Sequence, residues 1–93
     1  MVRAFVLYEE EPEQKRYEQH AEFCRQVPGG TFRHGPIFGA PRGEPQFAYY
    51  AEWEFPSREA FQEAARGEQF MATGKDAVEM GGRFHVLFAD VSE

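Results

Sequence analysis

The sequence predicts an α+β fold in which a four-stranded antiparallel sheet carries its helices on one face. Two observations support this prediction. Apolar residues recur with the period of a strand in some segments and with the period of a helix in others. These segments follow the order strand, helix, strand, strand, helix, strand, which is the βαββαβ plan. At 93 residues the chain is expected to form a single domain, residues 1–93.

The first strand and the first helix carry the clearest patterns. VRAFVLY, Val2–Tyr8, is apolar on both of its faces, with Phe5 and Leu7 pointing one way and the alternate residues the other. A helix is predicted within Glu9–Val27, with Pro12 in its first turn. Pro28–Gly30 ends this helix. Its inner stripe follows helical spacing and consists of Tyr17, His20, Ala21, Cys24 and Val27.

The rest of the chain supplies three more strands and the remaining helices. A weaker strand is predicted in Thr31–Gly39, where Gly35-Pro36 implies a bulge or an edge position. The strongest strand is Gln46–Phe55, in which Glu52 and Tyr50 share one face. The opposite face of that strand carries Phe47, Tyr49, Ala51, Trp53 and Phe55. The predicted elements that follow are a helix at Ser57–Arg66, a weaker helix at Glu68–Met80 and a strand at Arg83–Val91.

The first and last strands predict a partner subunit. Both are apolar on their two faces, whereas helices on one side of a sheet cover only one of these faces. A second copy, related by a two-fold axis, is the simplest cover for the other face. The sequence therefore predicts a ferredoxin-like domain that forms a homodimer through the sheet face, giving a dimeric α/β barrel.

Composition excludes several functional classes. A net charge of -6 with scattered basic residues argues against nucleic acid as a partner. No apolar run approaches the roughly 20 residues that span a bilayer, so no membrane partner is expected. The N-terminus turns acidic after one short apolar run and has no cleavage site typical of a signal peptide. A single cysteine precludes an intramolecular disulfide and favours a reducing, cytoplasmic location.

Amino-acid usage is biased in a way that has two explanations. The chain contains no Asn, one Ile and two Lys against eight Arg. A GC-rich genome produces this bias, and the absence of a thermolabile residue also suits a thermophile. The sequence does not separate the two.

Three segments resemble the EthD family, named after a gene cluster for ethyl tert-butyl ether degradation. They are HAEFCRQVPG (His20–Gly29), the strand-to-helix stretch YYAEWEF with SREAF (Tyr49–Phe61), and Gly81-Gly82 before the last strand. One departure is Glu22, where the family often has Pro. The resemblance implies the dimeric α/β-barrel fold. Related barrels include cofactor-free monooxygenases, cyclases, isomerases and haem-binding proteins, so the fold does not settle the chemistry.

His20 and Tyr17 are the candidate catalytic residues. An imidazole on an otherwise apolar stripe can act as an acid or base near neutral pH, or hold a substrate oxygen. Tyr17 lies one turn earlier and can orient a substrate through its hydroxyl. The alternative is that His20 is a core histidine bonded within the protein and Tyr17 an amphipathic ring at the rim.

Four further residues are candidates for ligand binding. Trp53, Tyr49 and Phe47 can line a pocket that accepts an aromatic compound, and the alternative is that they are core-packing residues. Glu52 points into the predicted barrel, where a carboxylate needs a raised pKa or a partner, with Tyr50 and His85 as candidates. Its alternative role is to stabilise the dimer.

The other reactive side chains carry weaker signals. Cys24 is interpreted as a small core residue and not as a nucleophile. His34 is expected at the surface, and the three histidines show no metal-ligand spacing. No cofactor is predicted.

The predicted function is binding, with or without conversion, of a small aromatic or cyclic carbonyl compound. The alternatives are a non-catalytic accessory or ligand-carrying dimer and, with less support, a haem-dependent enzyme using His20.

Overall fold

The computed structural model describes residues 1–93 and contains four strands and three helices. The strands are β1 (Val2–Tyr8), β2 (Thr31–Pro36), β3 (Tyr49–Phe55) and β4 (Phe84–Asp90). The helices are α1 (Gln14–Arg25), α2 (Arg58–Ala65) and α3 (Glu68–Met80). No helix is both long enough and apolar enough to cross a membrane.

The strands form one antiparallel sheet in the order β2-β3-β1-β4. In the central register Ala4 of β1 lies opposite Trp53 of β3 on one side and Phe88 of β4 on the other. This order and the alternation of strands and helices confirm the predicted α+β, ferredoxin-like fold. The two strands that are apolar on both faces, β1 and β4, are neighbours in it.

The core lies between the sheet and the helices. Along β1, Val2, Ala4, Val6 and Tyr8 are buried, whereas Arg3, Phe5 and Leu7 are only half-buried on the opposite face. We call the face that carries Arg3, Phe5 and Leu7 the open face. The helix-side core consists of Val2, Ala4, Val6, Tyr8, Tyr17, Ala21, Cys24, Val27, Ala51, Trp53, Phe55 and Ala64.

Helix α1 has capping interactions that fix both of its ends. Glu13 is its N-cap, and the carboxylate accepts a hydrogen bond of 2.6 Å from the backbone N–H of Arg16. Pro12 therefore precedes the cap instead of occupying the first turn as predicted. After the helix, Gly29 has a φ of 83°, and a Cβ on Gly30 would lie 2.7 Å from the ring of Phe55. These glycines let the chain turn tightly onto the core.

Two elements differ in extent from the sequence prediction. Strand β3 begins at Tyr49, three residues after the predicted start at Gln46, so Phe47 lies in the preceding loop. Helix α3, predicted as a weak element, is the longest helix, with 13 residues. It packs against α1 and contributes the buried residues Thr73, Asp76 and Ala77.

Candidate functional site

His20 lies on the buried side of α1, and its ring is bonded to a carboxylate of α3. The residue is 3% exposed, and its Nδ1 is 2.8 Å from Oδ2 of Asp76. Helical spacing places it there, because Tyr17, His20 and Cys24 recur on the side of α1 that faces the sheet, as predicted. The ring is therefore held in one orientation by a bond between two helices.

Asp76 also binds Arg16, which is one turn before His20 on α1. Arg16 donates two parallel hydrogen bonds, from Nη1 to Oδ2 at 3.1 Å and from Nη2 to Oδ1 at 2.7 Å. These bonds hold the pKa of the Asp76 carboxyl below its usual value, although burial acts in the opposite direction. Asp76 is thus an anion that accepts from both a guanidinium and an imidazole. We call these three residues the His20 cluster.

The imidazole of His20 is uncharged near neutral pH. Burial lowers its pKa and outweighs the opposing effect of Asp76. No hydrogen bond within the chain engages Nε2. Nε2 is also partly accessible to solvent. Arg3 Nε is the only side-chain nitrogen or oxygen atom that is both fully buried and unpaired, so Nε2, which is unpaired, is not fully buried. One nitrogen of the ring is therefore fixed by Asp76, and the other remains available.

A small, mostly apolar pocket adjoins His20. Its volume is about 70 Å³. This is less than the roughly 300 Å³ at the lower end of the usual range for small-molecule sites. Val86 at its edge is 46% exposed, so the pocket meets solvent beside β4. Its lining consists of Val6, Tyr8, His20, Trp53, Phe70, Thr73, Gly74, Ala77, Phe84 and Val86.

The hydroxyl groups that line this pocket are engaged within the protein. Tyr8 Oη is 3.3 Å from Tyr17 Oη, and Thr73 Oγ1 donates to the carbonyl of Phe70 at 2.6 Å. Burial raises the pKa of Tyr8 to about 12, so its hydroxyl stays protonated. His20 Nε2 is consequently the one polar side-chain atom of the lining that has no partner within the chain.

Tyr17 lies beside His20 but does not line the pocket. Its ring packs edge-on against the imidazole, with a centroid distance of 5.3 Å, and burial raises its pKa. Tyr49 and His34 form the next layer, where His34 Nδ1 and Tyr49 Oη are 2.6 Å apart. His34 is half-buried against Tyr17 and Tyr49 and is not a plain surface residue, because β2 turns that side chain toward α1.

The other predicted aromatic residues separate into two groups. Trp53 lines the pocket, and its indole N–H donates to the carbonyl of Cys24 at 2.8 Å. Phe47 does not, because it packs against His85, which faces the open side of the sheet next to Leu7. The structure therefore brings Trp53 to His20, keeps Tyr17 and Tyr49 nearby, and leaves Phe47 elsewhere.

Glu52 belongs to a different cluster, on the open face. It is 6% exposed and accepts hydrogen bonds from Tyr50 Oη at 2.8 Å and from Arg33 Nε and Nη2 at 2.9 and 2.6 Å. Arg3 Nε lies 3.7 Å from Glu52 Oε1, the oxygen that accepts from Tyr50. Burial would raise the pKa of Glu52, but the bonds from Tyr50 and Arg33 outweigh this effect and lower it. Tyr50 is a partner as predicted, whereas His85 instead lies 3.0 Å from Glu9.

The remaining reactive groups form no second site on the helix side. Burial raises the pKa of the Cys24 thiol to about 12, which keeps it protonated. No three His, Cys, Asp or Glu side chains are arranged to hold a metal ion. The pocket beside His20 is also too small for a porphyrin ring.

Sequence reasoning missed Asp76 and Arg16, although both carry a signal. Asp76 lies one position before Ala77 on the inner side of α3, where a charged residue needs a partner. Arg16 precedes His20 by four residues, so both lie on the same side of α1. Their pairing joins residues 60 positions apart and depends on how α1 packs against α3.

Comparisons with known proteins agree with this fold. No protein-family model and no curated protein sequence matches the chain. Among solved structures, an EthD-family protein from Bacillus halodurans C-125 is 27% identical, covers 99% of both chains and has a TM-score of 0.82. A dimeric ferredoxin-like protein of unknown function from Jannaschia sp. CCS1 is 22% identical, over 97% of this chain and 98% of that one, with a TM-score of 0.73.

A third similar structure is an enzyme. The hydroxynitrile lyase of Passiflora edulis is 20% identical, over 99% of this chain and 94% of that one, with a TM-score of 0.74. At this identity, the lyase and the Jannaschia protein show a shared fold alone. The Bacillus protein is similar to this chain in sequence as well as in fold, along the whole length of both chains. The chain thus has the ferredoxin-like fold and is similar over its whole length to a protein of the EthD family.

Proposed function

We propose that the chain binds a small aromatic or cyclic compound in the pocket beside His20 and exchanges a proton with it, without a cofactor. The observation that carries this proposal is the unpaired Nε2 of His20 at an otherwise apolar pocket. A neutral imidazole in such a place can accept a hydrogen bond or a proton from a ligand.

The surroundings of the ring support this role. Trp53, Phe70 and Phe84 supply aromatic surface that favours an apolar or aromatic ligand over a charged one. The Tyr8–Tyr17 hydroxyl pair holds the wall beside His20, so Tyr17 contributes by orienting the pocket and not by touching the ligand. Tyr49 supports Tyr17 from the next layer. A hydroxynitrile lyase among the similar structures supports the view that this fold can accommodate a small organic substrate.

We further propose that residues 1–93 act as one domain that forms a homodimer through the open face. Phe5, Leu7 and Leu87 are adjacent there in the register of β1 and β4, and Leu87 is 47% exposed. Glu52 and its partners occupy the β2–β3 side of the same face, so the interface has an apolar half and a polar half. Similar structures described as dimeric support this assembly. With its only cysteine buried, the dimer suits a reducing, cytoplasmic location.

One observation favours a ligand carrier over an enzyme. The pocket offers a single unengaged acid–base group, since Tyr8 and Thr73 are committed to internal hydrogen bonds. Many proton-transfer reactions use a second group to return the proton. Incubation with phenol or cyclohexanone, followed by product analysis, separates the two: an enzyme forms product, whereas a carrier releases the compound unchanged.

A titration followed by NMR tests binding itself. Phenol is added to the labelled protein, and saturable shifts are expected at the Trp53 indole, Ala77 and the His20 ring. The matched control is Gly74→Leu. A Cβ on Gly74 meets no atom within 4 Å, and the residue lines the pocket, so the new side chain has room to occupy it without displacing His20 or Asp76.

Gly74→Leu should keep the fold, because leucine is a better helix former than glycine by up to about 1 kcal/mol. It should also abolish the saturable shifts. Equal phenol shifts in the wild-type protein and in Gly74→Leu would place the ligand outside this pocket and contradict the proposal.

A further inference from the structure

We infer that Asp76 is a positioning residue that fixes His20 in the tautomer with its proton on Nδ1, so that the pocket selects ligands that donate a hydrogen bond to Nε2. The inference rests on the proposed function and narrows its ligand class. It favours a small, uncharged compound carrying a hydroxyl group over one that offers only a carbonyl oxygen. Asp76 acts through His20 and does not touch the ligand.

The proton is assigned by the bonds that Asp76 makes. Its Oδ2 accepts from Arg16 Nη1, and its Oδ1 accepts from Arg16 Nη2. An ionised carboxylate has no proton to donate. His20 Nδ1 lies 2.8 Å from Oδ2, a distance at which two acceptors would repel, so Nδ1 must carry the hydrogen.

The state of Nε2 follows from the state of Nδ1. A neutral imidazole has one N–H, and with that hydrogen on Nδ1 the other nitrogen presents a lone pair. The ring is neutral near pH 7 because burial lowers its pKa. Nε2 has no partner within the chain. The pocket therefore contains an unsatisfied acceptor and no matching free donor.

An unsatisfied acceptor discriminates between ligands of the same size. A hydroxyl compound satisfies Nε2 with its O–H, whereas a ketone places an oxygen lone pair against a nitrogen lone pair. A site built for one hydrogen-bonding pattern rejects an analogue that leaves its polar group unpaired. The ligand class is thus narrower than the aromatic or cyclic carbonyl compound expected from the sequence, because the ligand must also carry a hydroxyl group.

The first experiment needs neither a variant nor a ligand. Nitrogen-15 NMR of histidine-labelled protein at pH 8 distinguishes a protonated ring nitrogen from one with a lone pair. The expected result is a protonated Nδ1 and an unprotonated Nε2 for His20. A His20 ring with its proton on Nε2, or a mixture of the two tautomers, would overturn the inference.

The second experiment compares cyclohexanol with cyclohexanone, which differ in the hydroxyl donor and share the ring size. We expect cyclohexanol to bind at least about tenfold more tightly to the wild-type protein at pH 8. In Asp76→Asn the anionic acceptor for Nδ1–H is lost, and the Nε2–H tautomer becomes populated. The ratio of the affinities for cyclohexanol and cyclohexanone should therefore fall toward one. Arg16→Gln is the control, because it removes the guanidinium and keeps the Asp76–His20 bond, so the preference should survive.

The outcomes separate the inference from the proposed function. Binding of both compounds with equal affinity, or a preference for the ketone, overturns the inference and leaves the pocket as a binding site. Failure of both compounds and of phenol to bind overturns both. If Asp76→Asn does not fold, the tautomer of the wild-type ring still decides.

Discussion

Each face of the sheet buries a carboxylate against an arginine, but only one of the two clusters leaves an acid–base atom free beside a mostly apolar pocket. On the helix side, Asp76 binds Arg16 and one nitrogen of His20, and Nε2 remains unpaired at a pocket. On the open face, Glu52 is saturated by Tyr50 and Arg33. A buried carboxylate alone therefore does not identify a functional site. The Glu52 cluster also holds an unused donor, Arg3 Nε, but a guanidinium stays charged and exchanges no proton near neutral pH. The distinguishing feature of the His20 cluster is an unused acid–base atom beside a mostly apolar pocket.

The cavities beside the two clusters also differ in size and polarity. A broad hollow of about 770 Å³ lies over the Glu52 cluster, and four charged side chains, Arg3, Arg33, Glu52 and Glu54, contribute to its lining. A second sheet packed on this face would fill it. The pocket beside His20 is about ten times smaller and mostly apolar. We therefore assign the open face to assembly and the His20 cluster to ligand binding, and the following substitutions test that division.

The largest effect is expected from a charge on the open face. Leu87→Asp would bury an unpaired carboxylate between two apolar strands, at a cost of about 3–5 kcal/mol. Analytical ultracentrifugation at micromolar concentration should show a shift from twice the chain mass to 10.7 kDa. Val78→Asp, at a 71% exposed position of α3, is the control and should sediment like the wild-type protein. A wild-type protein that is already monomeric under these conditions would refute the assembly.

The next effect concerns the Glu52 cluster. Glu52→Leu removes the acceptor of Tyr50 and Arg33 and should lower the free energy of unfolding by about 1–3 kcal/mol. Glu52→Gln keeps the shape and one acceptor, so its loss should be smaller. Urea unfolding of the two variants measures the difference. Equal unfolding free energies for Glu52→Leu and Glu52→Gln would mean that the hydrogen bonds to this side chain do not stabilise the fold. Altered phenol binding in either variant would contradict the assignment of the two faces to separate roles.

Acid should weaken the His20 cluster before the Glu52 cluster. The pKa of His20 is lowered by burial, so the unfolded chain takes up a proton first as the pH falls below about 6.5. The contribution of neutral His20 to the stability of the folded protein is therefore complete above about pH 6.5. It is lost as the pH falls through the lower pKa that His20 has in the folded protein. Asp76, Arg16, Tyr17 and His34 surround the ring, and His34, whose pKa is also lowered, contributes with the same sign.

Unfolding free energies measured from pH 7 to 5 test the contribution of His20. In His20→Gln the unfolding free energy should fall less steeply with decreasing pH than in the wild-type protein, because only His34 then contributes to the fall. The carboxylates do not interfere, because the pKa values of Asp76 and Glu52 are both lowered and their contributions are lost only below about pH 4. An unchanged slope in His20→Gln would show that the ring is already solvated.

The smallest effect is expected at Cys24. Its thiol is 1% exposed, and burial raises its pKa to about 12, so Ellman's reagent should react only after unfolding. Cys24→Ala should cost about 1 kcal/mol of stability and leave phenol binding unchanged. Rapid labelling of the native protein would contradict the packing of α1 on the sheet.

The fold was largely predictable from local patterns. The alternation along Val2–Tyr8 and the stripe from Tyr17 to Cys24 each identify an element and its buried face without knowledge of any distant contact. The start of β3 was not predictable in this way. Phe47 continues the apolar alternation, but in the structure the backbone pairing resumes only at Ala48, which donates to Tyr8 and accepts from Ile37.

The site was only partly predictable. His20 stands out because it is a titratable residue in an apolar stripe, and the Glu52–Tyr50 bond follows from two residues on one strand face. Asp76, which gives the ring its tautomer, lies 56 residues away on a helix with a weak pattern. Arg33 reaches Glu52 only through the β2–β3 register. Periodicity shows which residues are buried, whereas pairing between elements depends on three-dimensional packing.

A crystal structure of the protein soaked with phenol tests the central claim most directly. We predict electron density for the ring between Trp53 and Ala77, with the phenol oxygen within hydrogen-bond distance of His20 Nε2 and the His20–Asp76 bond intact. An empty pocket, with phenol bound only on the open face or with Nε2 turned to a partner within the protein, would contradict the assignment of ligand binding to the His20 cluster.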